Sequence, residues 1–303
     1  MKNQTALKVS VWMITYNHEK YIAQAIESVL NQRTTFEFDL VIGEDFSTDT
    51  TRSICRAYAN RFPGKISVLE HPKNIGIHAN LVATLRACRG QYVATLEGDD
   101  YWTDPLKLQK QVDFMDANPD FALCYQKTRE INEVTGEEKI TNETDNPETG
   151  MNELLERGWF MRTGSLLFRS GLIDHFPDWY FAYSSTDYML HILLAEHGKI
   201  KFLNETTSVY RRHETGITQS FQRGIIAFNE KKRQLLDQLN VYLGYRYQDS
   251  IRKHQRELYT SSFLITLRTL RKMKDIVYLV SILPNVNGKK VMSTIVGYIR
   301  RRV

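Results

Sequence analysis

The chain has 303 residues, 42% hydrophobic and 25% charged, ordinary globular proportions that exclude a disordered or fibrous protein. That length suits one large α/β core with one appendage, because single cores stop growing near about 250–300 residues. The net charge of +5 conceals an asymmetry, since residues 231–303 hold 16 Lys and Arg against 4 Asp and Glu, leaving 24 against 31 for residues 1–230.

Four short β-branched runs, VSVWMI, FDLVIG, KISVLE and QYVATLE, are each followed by a segment of helical period, the βαβαβαβ pattern of a parallel sheet. After the first run Ile22, Ile26, Val29 and Leu30 share one helical face; Asp49 offers an N-cap to the second helix, and Pro63-Gly64 ends it. Polar residues gather where each run stops: Thr15, Tyr16 and Asn17, then Glu44 and Asp45, then Asn74 and Gly76, then Asp99 and Asp100. In a doubly wound sheet the ligand sits beyond the carboxyl ends of the strands, so these groups should face one crevice. Residues 127–150 are polar and turn-rich, as in a surface loop or mobile lid. From Asn152 onward short strands (GSLLFR, KIKFLN, TSVYRRH) and helix around Asp187 and Leu190 resume.

From about Gln219 helical periodicity and basic side chains dominate, and the longest apolar run there, IVYLVSIL, is too short to span a bilayer. No internal repeat is visible. The cysteines Cys55, Cys88 and Cys124 are odd in number without C-x-x-C spacing, which favours buried thiols in a reducing compartment over disulfides or zinc. The amino-terminal residues lack the features of a signal peptide, so secretion is not expected.

The stretch EGDDYW, Glu97 to Trp102, places the adjacent carboxylates Asp99 and Asp100 at the end of a buried strand. Two such acids repel and stay ionised together mainly when a cation compensates them. Oxygen-only ligation suits a hard cation, Mg²⁺ or Mn²⁺, bridging to phosphate oxygens. N-caps and surface turns also contain acid pairs, so the pair alone leaves the question open.

Taken together, VSVWMITYN, the helix ending ESVLNQ, the GEDFSTDTT turn, HPKNIG and EGDDYWTDPLKLQKQVDFM resemble glycosyltransferase family 2 from residue 7 to about 215. The resemblance implies a GT-A fold, a Rossmann-like, mostly parallel sheet with flanking helices, over residues 1–218. The nucleotide-binding half would cover about 1–125 and the acceptor half about 150–218; a basic helical extension, 219–303, would follow. It implies an inverting transfer from a nucleotide diphosphate sugar to a hydroxyl of a glycan or lipid-linked acceptor in surface-polysaccharide synthesis. It assigns Thr15, Tyr16, Asn17 and Asn74 to the donor nucleotide, with the Tyr16 ring against the base. Asp45 would accept the imide N–H of uracil or thymine, favouring UDP and then dTDP over GDP; Glu44 stands where the family usually has Asp. Asp99 is assigned to the ribose, Asp100 and His213 to the metal, and Asp187 to the acceptor-activating base, although Thr186 stands where relatives carry Glu. Arg211 and Arg212 would either offset diphosphate charge or be solvated.

A Mg²⁺-dependent nucleotidyltransferase should carry a glycine-rich loop after the first strand, and TYNHEKYI has no glycine. A nucleotide-sugar-binding scaffold without catalysis is the remaining alternative. In the tail, Leu264, Leu267, Leu270, Ile276 and Val277 recur amid Arg268, Arg271, Lys272 and Lys274, and VMSTIVGYIRRRV ends in Arg300, Arg301 and Arg302. This is the pattern of an interfacial helix at the cytoplasmic face of a membrane. The same apolar faces would also suit packing on the catalytic domain or in a homo-oligomer. Nucleic acid is not expected, because the tail offers few aromatics for base stacking beyond its tyrosines.

Overall fold

The structure, a computed structural model, describes residues 7–183, 186–214, 216, 224–269 and 273–300. The chain divides into two compact units, residues 1–151 with 159–214, and residues 152–158 with 215–303. Gln219, Leu270, Arg271, Lys272, Arg301 and Arg302 lie outside the described residues.

The first unit is built on one sheet. Strands β1 (Val9–Thr15), β2 (Phe38–Glu44), β3 (Ile66–Glu70) and β4 (Tyr92–Glu97) alternate with helices α1 (Ile22–Leu30), α2 (Thr51–Arg61) and α3 (Ile77–Ala87). Then come β5 (Tyr101–Trp102), α4 (Lys107–Ala117), β6 (Phe121–Asn132), β7 (Glu138–Thr141), β8 (Glu148–Thr149), β9 (Leu167–Arg169), α6 (Thr186–Ala195) and β10 (Lys199–Arg212); α5 (Met151–Arg157), between β8 and β9, falls in the second unit after its first residue. The strand order is β3-β2-β1-β4-β9-β6-β10-β5, with β7 on β6 and β8 on β10. Strands β3, β2, β1 and β4 are parallel, and β9 runs antiparallel between β4 and β6.

All seven residues of β1 are buried, as a central strand covered on both faces requires, and its sequence is accordingly apolar apart from Ser10 and the terminal Thr15. In α1 the residues Ile22, Ala25, Ile26 and Val29 are buried at helical spacing, one stripe against the sheet. The register pairs Thr15 with Glu44 and Ile14 with Glu97, so β1, β2 and β4 end level with one another. The order reverses at β1, and the crevice of a doubly wound sheet lies at such a point.

Two segments differ from the sequence reading. Half of the expected loop at 127–150 is strand: β6 runs on to Asn132 and pairs antiparallel with β7, and Glu148–Thr149 form β8. Its buried Glu130 is held by Arg162 at 2.5 Å, Lys139 at 3.2 Å and Arg212 at 3.3 Å, so a charge that reads as surface is compensated inside. The segments KIKFLN and TSVYRRH form one strand, β10, whose pairing with β6 is interrupted between Leu203 and Ser208. Such irregularities bend a strand without ending it.

In the second unit, α7 (Ile225–Tyr242), α8 (Gln248–Arg268), α9 (Met273–Ile282) and α10 (Gly288–Arg300) follow in order. Phe263, Leu279, Ile282 and Val291 form a small core. Residues 152–158 belong to this unit: the Leu155 carbonyl lies 2.7 Å from His254 Nδ1, and Glu156 pairs with Lys253 at 2.5 Å. Among the described residues no helix is long and apolar enough to cross a membrane.

Candidate active site

The site is assembled where β1, β2, β4 and β10 stop. β1 delivers Thr15, which is buried, followed by Tyr16, whose ring is 41% exposed. Asn17 takes a left-handed backbone, φ 56°, a conformation asparagine tolerates better than most residues. Its N–H donates to Ser47 Oγ at 3.0 Å and its Oδ1 accepts the Thr48 N–H at 2.8 Å, tying the β1–α1 loop to the β2–α2 loop. Asp49 accepts the Thr51 N–H at 2.9 Å and so supports the start of α2.

At the end of β2, buried Glu44 accepts the Ser47 N–H at 2.6 Å and is ion-paired with Arg52. Asp45 accepts the N–H groups of Ile75 at 2.7 Å and Gly76 at 3.0 Å, and its carbonyl accepts Asn74 Nδ2 at 3.1 Å. Asp45 and Asn74 therefore brace the β3–α3 loop beside the crevice. An ionised carboxylate has about four acceptor positions, so two backbone donors leave room for a third partner.

β4 delivers the acids. Carboxylate oxygens of Glu97, Asp99 and Asp100 lie within 4.8 Å of one another. β4 ends at Glu97 and the Asp100 N–H donates to the Glu97 carbonyl at 3.1 Å, so the turn through Gly98 and Asp99 folds the three acids together; sequence reasoning left Glu97 without a role. Burial, then Asp99 and Asp187, push the Glu97 carboxyl up to about 8, against the lowering influence of Arg162 and Thr163. Burial, followed by Asp99 and Glu97, also raises Asp100 well above the usual carboxylate range. For Asp99 burial works upward but is outweighed by His18 and His213, which hold it below the ordinary value. Three crowded acids, two of them strained toward protonation, fit a hard divalent cation.

The residue between them has no freedom. A Cβ on Gly98 would lie 2.6 Å from Thr15 Oγ1, 2.8 Å from Thr15 Cβ and 3.1 Å from His18 Nδ1. Since Thr15 is buried, Gly98→Ala is expected to cost about 1–3 kcal/mol of stability and to weaken nucleotide binding. Denaturant unfolding checks this, and a change within about 0.5 kcal/mol contradicts the packing argument.

β10 closes the site. His213 Nε2 lies 3.1 Å from Asp99 Oδ2, and His18 Nε2 lies 3.7 Å from the same oxygen. The structure thus brings His213 to Asp99 rather than to Asp100, and adds His18, for which sequence position alone carried no signal. Asp100 Oδ1 accepts the backbone N–H of Arg211 at 2.8 Å. The Arg211 side chain, mostly buried, donates to the Asp99 carbonyl at 2.5 Å and lies over the rings of Tyr101 and Tyr21. Arg212 turns to Glu130 instead.

Asp187, in the first turn of α6, accepts the Tyr188 N–H at 2.8 Å. It shares with Glu97, Thr163 and Thr95 the lining of a cavity of about 10 Å³, room for roughly one water. Burial raises the Asp187 carboxyl, with the Tyr188 N–H and Arg162 working downward. All nine residues proposed from the sequence lie in the first unit.

The sequence profile of glycosyl transferase family 2 matches residues 10–176, more than half of the chain. The chain belongs to glycosyl transferase family 2. An uncharacterised protein of Mycobacterium tuberculosis is 38% identical over 220 residues, 70% of this chain and 61% of that protein. The alignment thus spans less than two thirds of that relative's length. Minor teichoic acid biosynthesis protein GgaB of Bacillus subtilis is 37% identical over 92 residues, 30% of this chain and 10% of its own. Among solved structures, Staphylococcus aureus TarS 1–349 in complex with UDP-GlcNAc superposes with a TM-score of 0.67 at 20% identity. It covers 91% of this chain and 80% of the TarS chain. This likeness shows the fold, the mixed α/β GT-A arrangement with a helical carboxyl-terminal region. The match to the family profile ends before Asp187 and His213, so these two residues of the family 2 chain rest on geometry.

Proposed function

We propose that the chain transfers a sugar, with inversion, from a nucleotide diphosphate donor to a hydroxyl of a glycan or lipid-linked acceptor in surface-polysaccharide synthesis. The observation that carries this reading is the convergence of Glu97, Asp99 and Asp100 with Asp187 about one crevice and its adjoining cavity. The donor is a UDP-sugar first and a dTDP-sugar next. Tyr16 offers an exposed ring for the base, and Asp45 accepts the imide N–H that uracil and thymine carry and guanine does not present in the same way. The UDP-GlcNAc bound by TarS supports that order, and the teichoic acid role in the name of GgaB supports the acceptor class.

Asp100, with Glu97 and Asp99, would hold Mg²⁺ or Mn²⁺, and His213 orients the set through Asp99. Such an ion, when bound, supplies Lewis-acid stabilisation of the departing diphosphate. The chain's own groups do the rest. Thr15 and Asn17 shape the nucleotide pocket, Asp99 faces the ribose, and Asp187 removes the proton of the attacking hydroxyl. One base on the face opposite the leaving group gives inversion. The work is placed on the cytoplasmic side, at the inner face of the membrane, where a lipid-linked acceptor is presented.

A panel of UDP-, dTDP- and GDP-sugars, with Mn²⁺ or with EDTA, tests the reading by thermal stabilisation and by release of nucleotide diphosphate. UDP-sugars are expected to stabilise most and to turn over only with the metal. Stabilisation without turnover, with every acceptor tried, favours the scaffold; no response to any donor overturns the reading.

A further inference from the structure

Helix α9 is apolar on two sides. Leu279 and Ile282 point into the small core with Phe263 and Val291. Ile276, Val277 and Val280, with Leu283 just past the end of the helix, form a second stripe at i, i+1, i+4 and i+7, between 43% and 65% exposed, and Met292 of α10 is 61% exposed. A contiguous stripe of exposed apolar side chains beside an already packed face marks an interaction surface, so this second stripe calls for a partner. Charge decides which one. Residues 268–303 carry nine Lys and Arg against the single Asp275; Arg268, Lys289 and Lys290 are exposed, Lys290 pairing with Glu257 of α8 at 2.5 Å. A second copy of this chain would set two such segments together and be repelled, whereas an anionic leaflet is attracted to them.

We propose that the stripe Ile276, Val277, Val280 and Leu283, with Met292 and the exposed Arg268, Lys289 and Lys290, is a docking surface for an anionic phospholipid bilayer. α9 lies along the interface with its apolar stripe in the acyl boundary, while the lysines and arginines meet the head groups. The surface deepens the membrane-side reading above by naming the element that makes contact. The two are separable, because docking needs no donor and donor binding needs no bilayer.

The test is flotation of the full chain with vesicles of phosphatidylglycerol and phosphatidylcholine, and with phosphatidylcholine alone, at low and high salt. Binding is expected with the anionic vesicles at low salt, at least about tenfold weaker with neutral vesicles, and weakened by salt. Val277→Asp with Val280→Asp should lower the bound fraction at least about tenfold. Lys289→Ala with Lys290→Ala should lower it less. Circular dichroism and UDP binding establish that the variants remain folded. A wild-type chain that stays unbound, or an aspartate variant that floats equally well, overturns the proposal. So does a concentration-dependent dimer that the aspartate variant abolishes, since a second copy would then be the occupant. Flotation without binding of any of the nucleotide sugars sinks the transferase reading and leaves this one standing.

Discussion

Asp100→Asn is expected to lower transfer by about 10²–10³-fold while leaving the metal-free protein at least as stable as the wild type. Leaving-group stabilisation by a metal contributes several kcal/mol, and each ~1.4 kcal/mol is a factor of ten. Stability moves the other way because of what surrounds the side chain. Asp100 is buried and crowded by Asp99 and Glu97, and its bond to the Arg211 N–H needs only the oxygen that asparagine keeps. The pH dependence carries the same signature. Glu97 and Asp100 titrate higher in the fold than in the unfolded chain, so the folded protein holds more protons between those values. Their stabilising share is complete below the unfolded carboxylate range and is lost as pH rises toward about 8 for Glu97. Thermal melting in EDTA should therefore show wild-type stability falling from about pH 5 to about pH 8, with Mn²⁺ flattening the decline and Asp100→Asn showing less of it. A variant that transfers within about threefold of wild type, or a wild type whose melting ignores both metal and pH, removes Asp100 from the metal site.

The parallel half of the sheet was legible because β1, β2 and β4 are buried along almost their whole length, and burial on both faces writes a largely apolar run with turn residues at each end; β3, at the edge, is only partly buried. Thr15, Asp45 and Asp99 could be placed on one crevice for the same reason: the strands end level, and the residue after each apolar run is the one at the rim. Legibility failed where long-range partners override local pattern. Glu130 is tolerated in a buried strand because Lys139 across the β6–β7 pair and the distant Arg162 and Arg212 meet it, and no short window around residue 130 contains two of these cations. β10 read as two strands because a polar, irregular stretch interrupts it, and residues 152–158 gave no hint of joining the second unit through His254 and Lys253. His18 follows the same rule, since its relation to Asp99 spans two loops that only the sheet brings together. The sequence suggested a metal from two neighbouring acids, and the third, Glu97, joins them through the turn that follows β4, which the apolar pattern does not report.

Asp187→Asn is expected to lower turnover by about 10²–10⁴-fold with donor affinity unchanged within about twofold. The reasoning separates three things a carboxylate in the first turn of a helix can do. As a partner of the helix dipole it contributes about 0.3–1 kcal/mol and touches no chemistry; the variant would then melt slightly earlier and turn over normally. As a donor contact its loss would raise the dissociation constant for nucleotide sugar. As the base it must be ionised and must bind protons more readily than an exposed carboxylate, and burial at the cavity it shares with Glu97 raises it in that direction. The amide keeps the oxygen that accepts the Tyr188 N–H, so the start of α6 is preserved and a loss of rate cannot be charged to unfolding. Glu97 lines the same cavity and is the competing base, which makes the pH–rate profile the deciding measurement. With Asp187 as base, the acid limb of kcat, where protonation silences the wild type, disappears in Asp187→Asn and survives in Glu97→Gln, whose defect appears instead in metal-dependent donor binding. The reverse pattern transfers the proton to Glu97 and leaves Asp187 as the residue that starts α6.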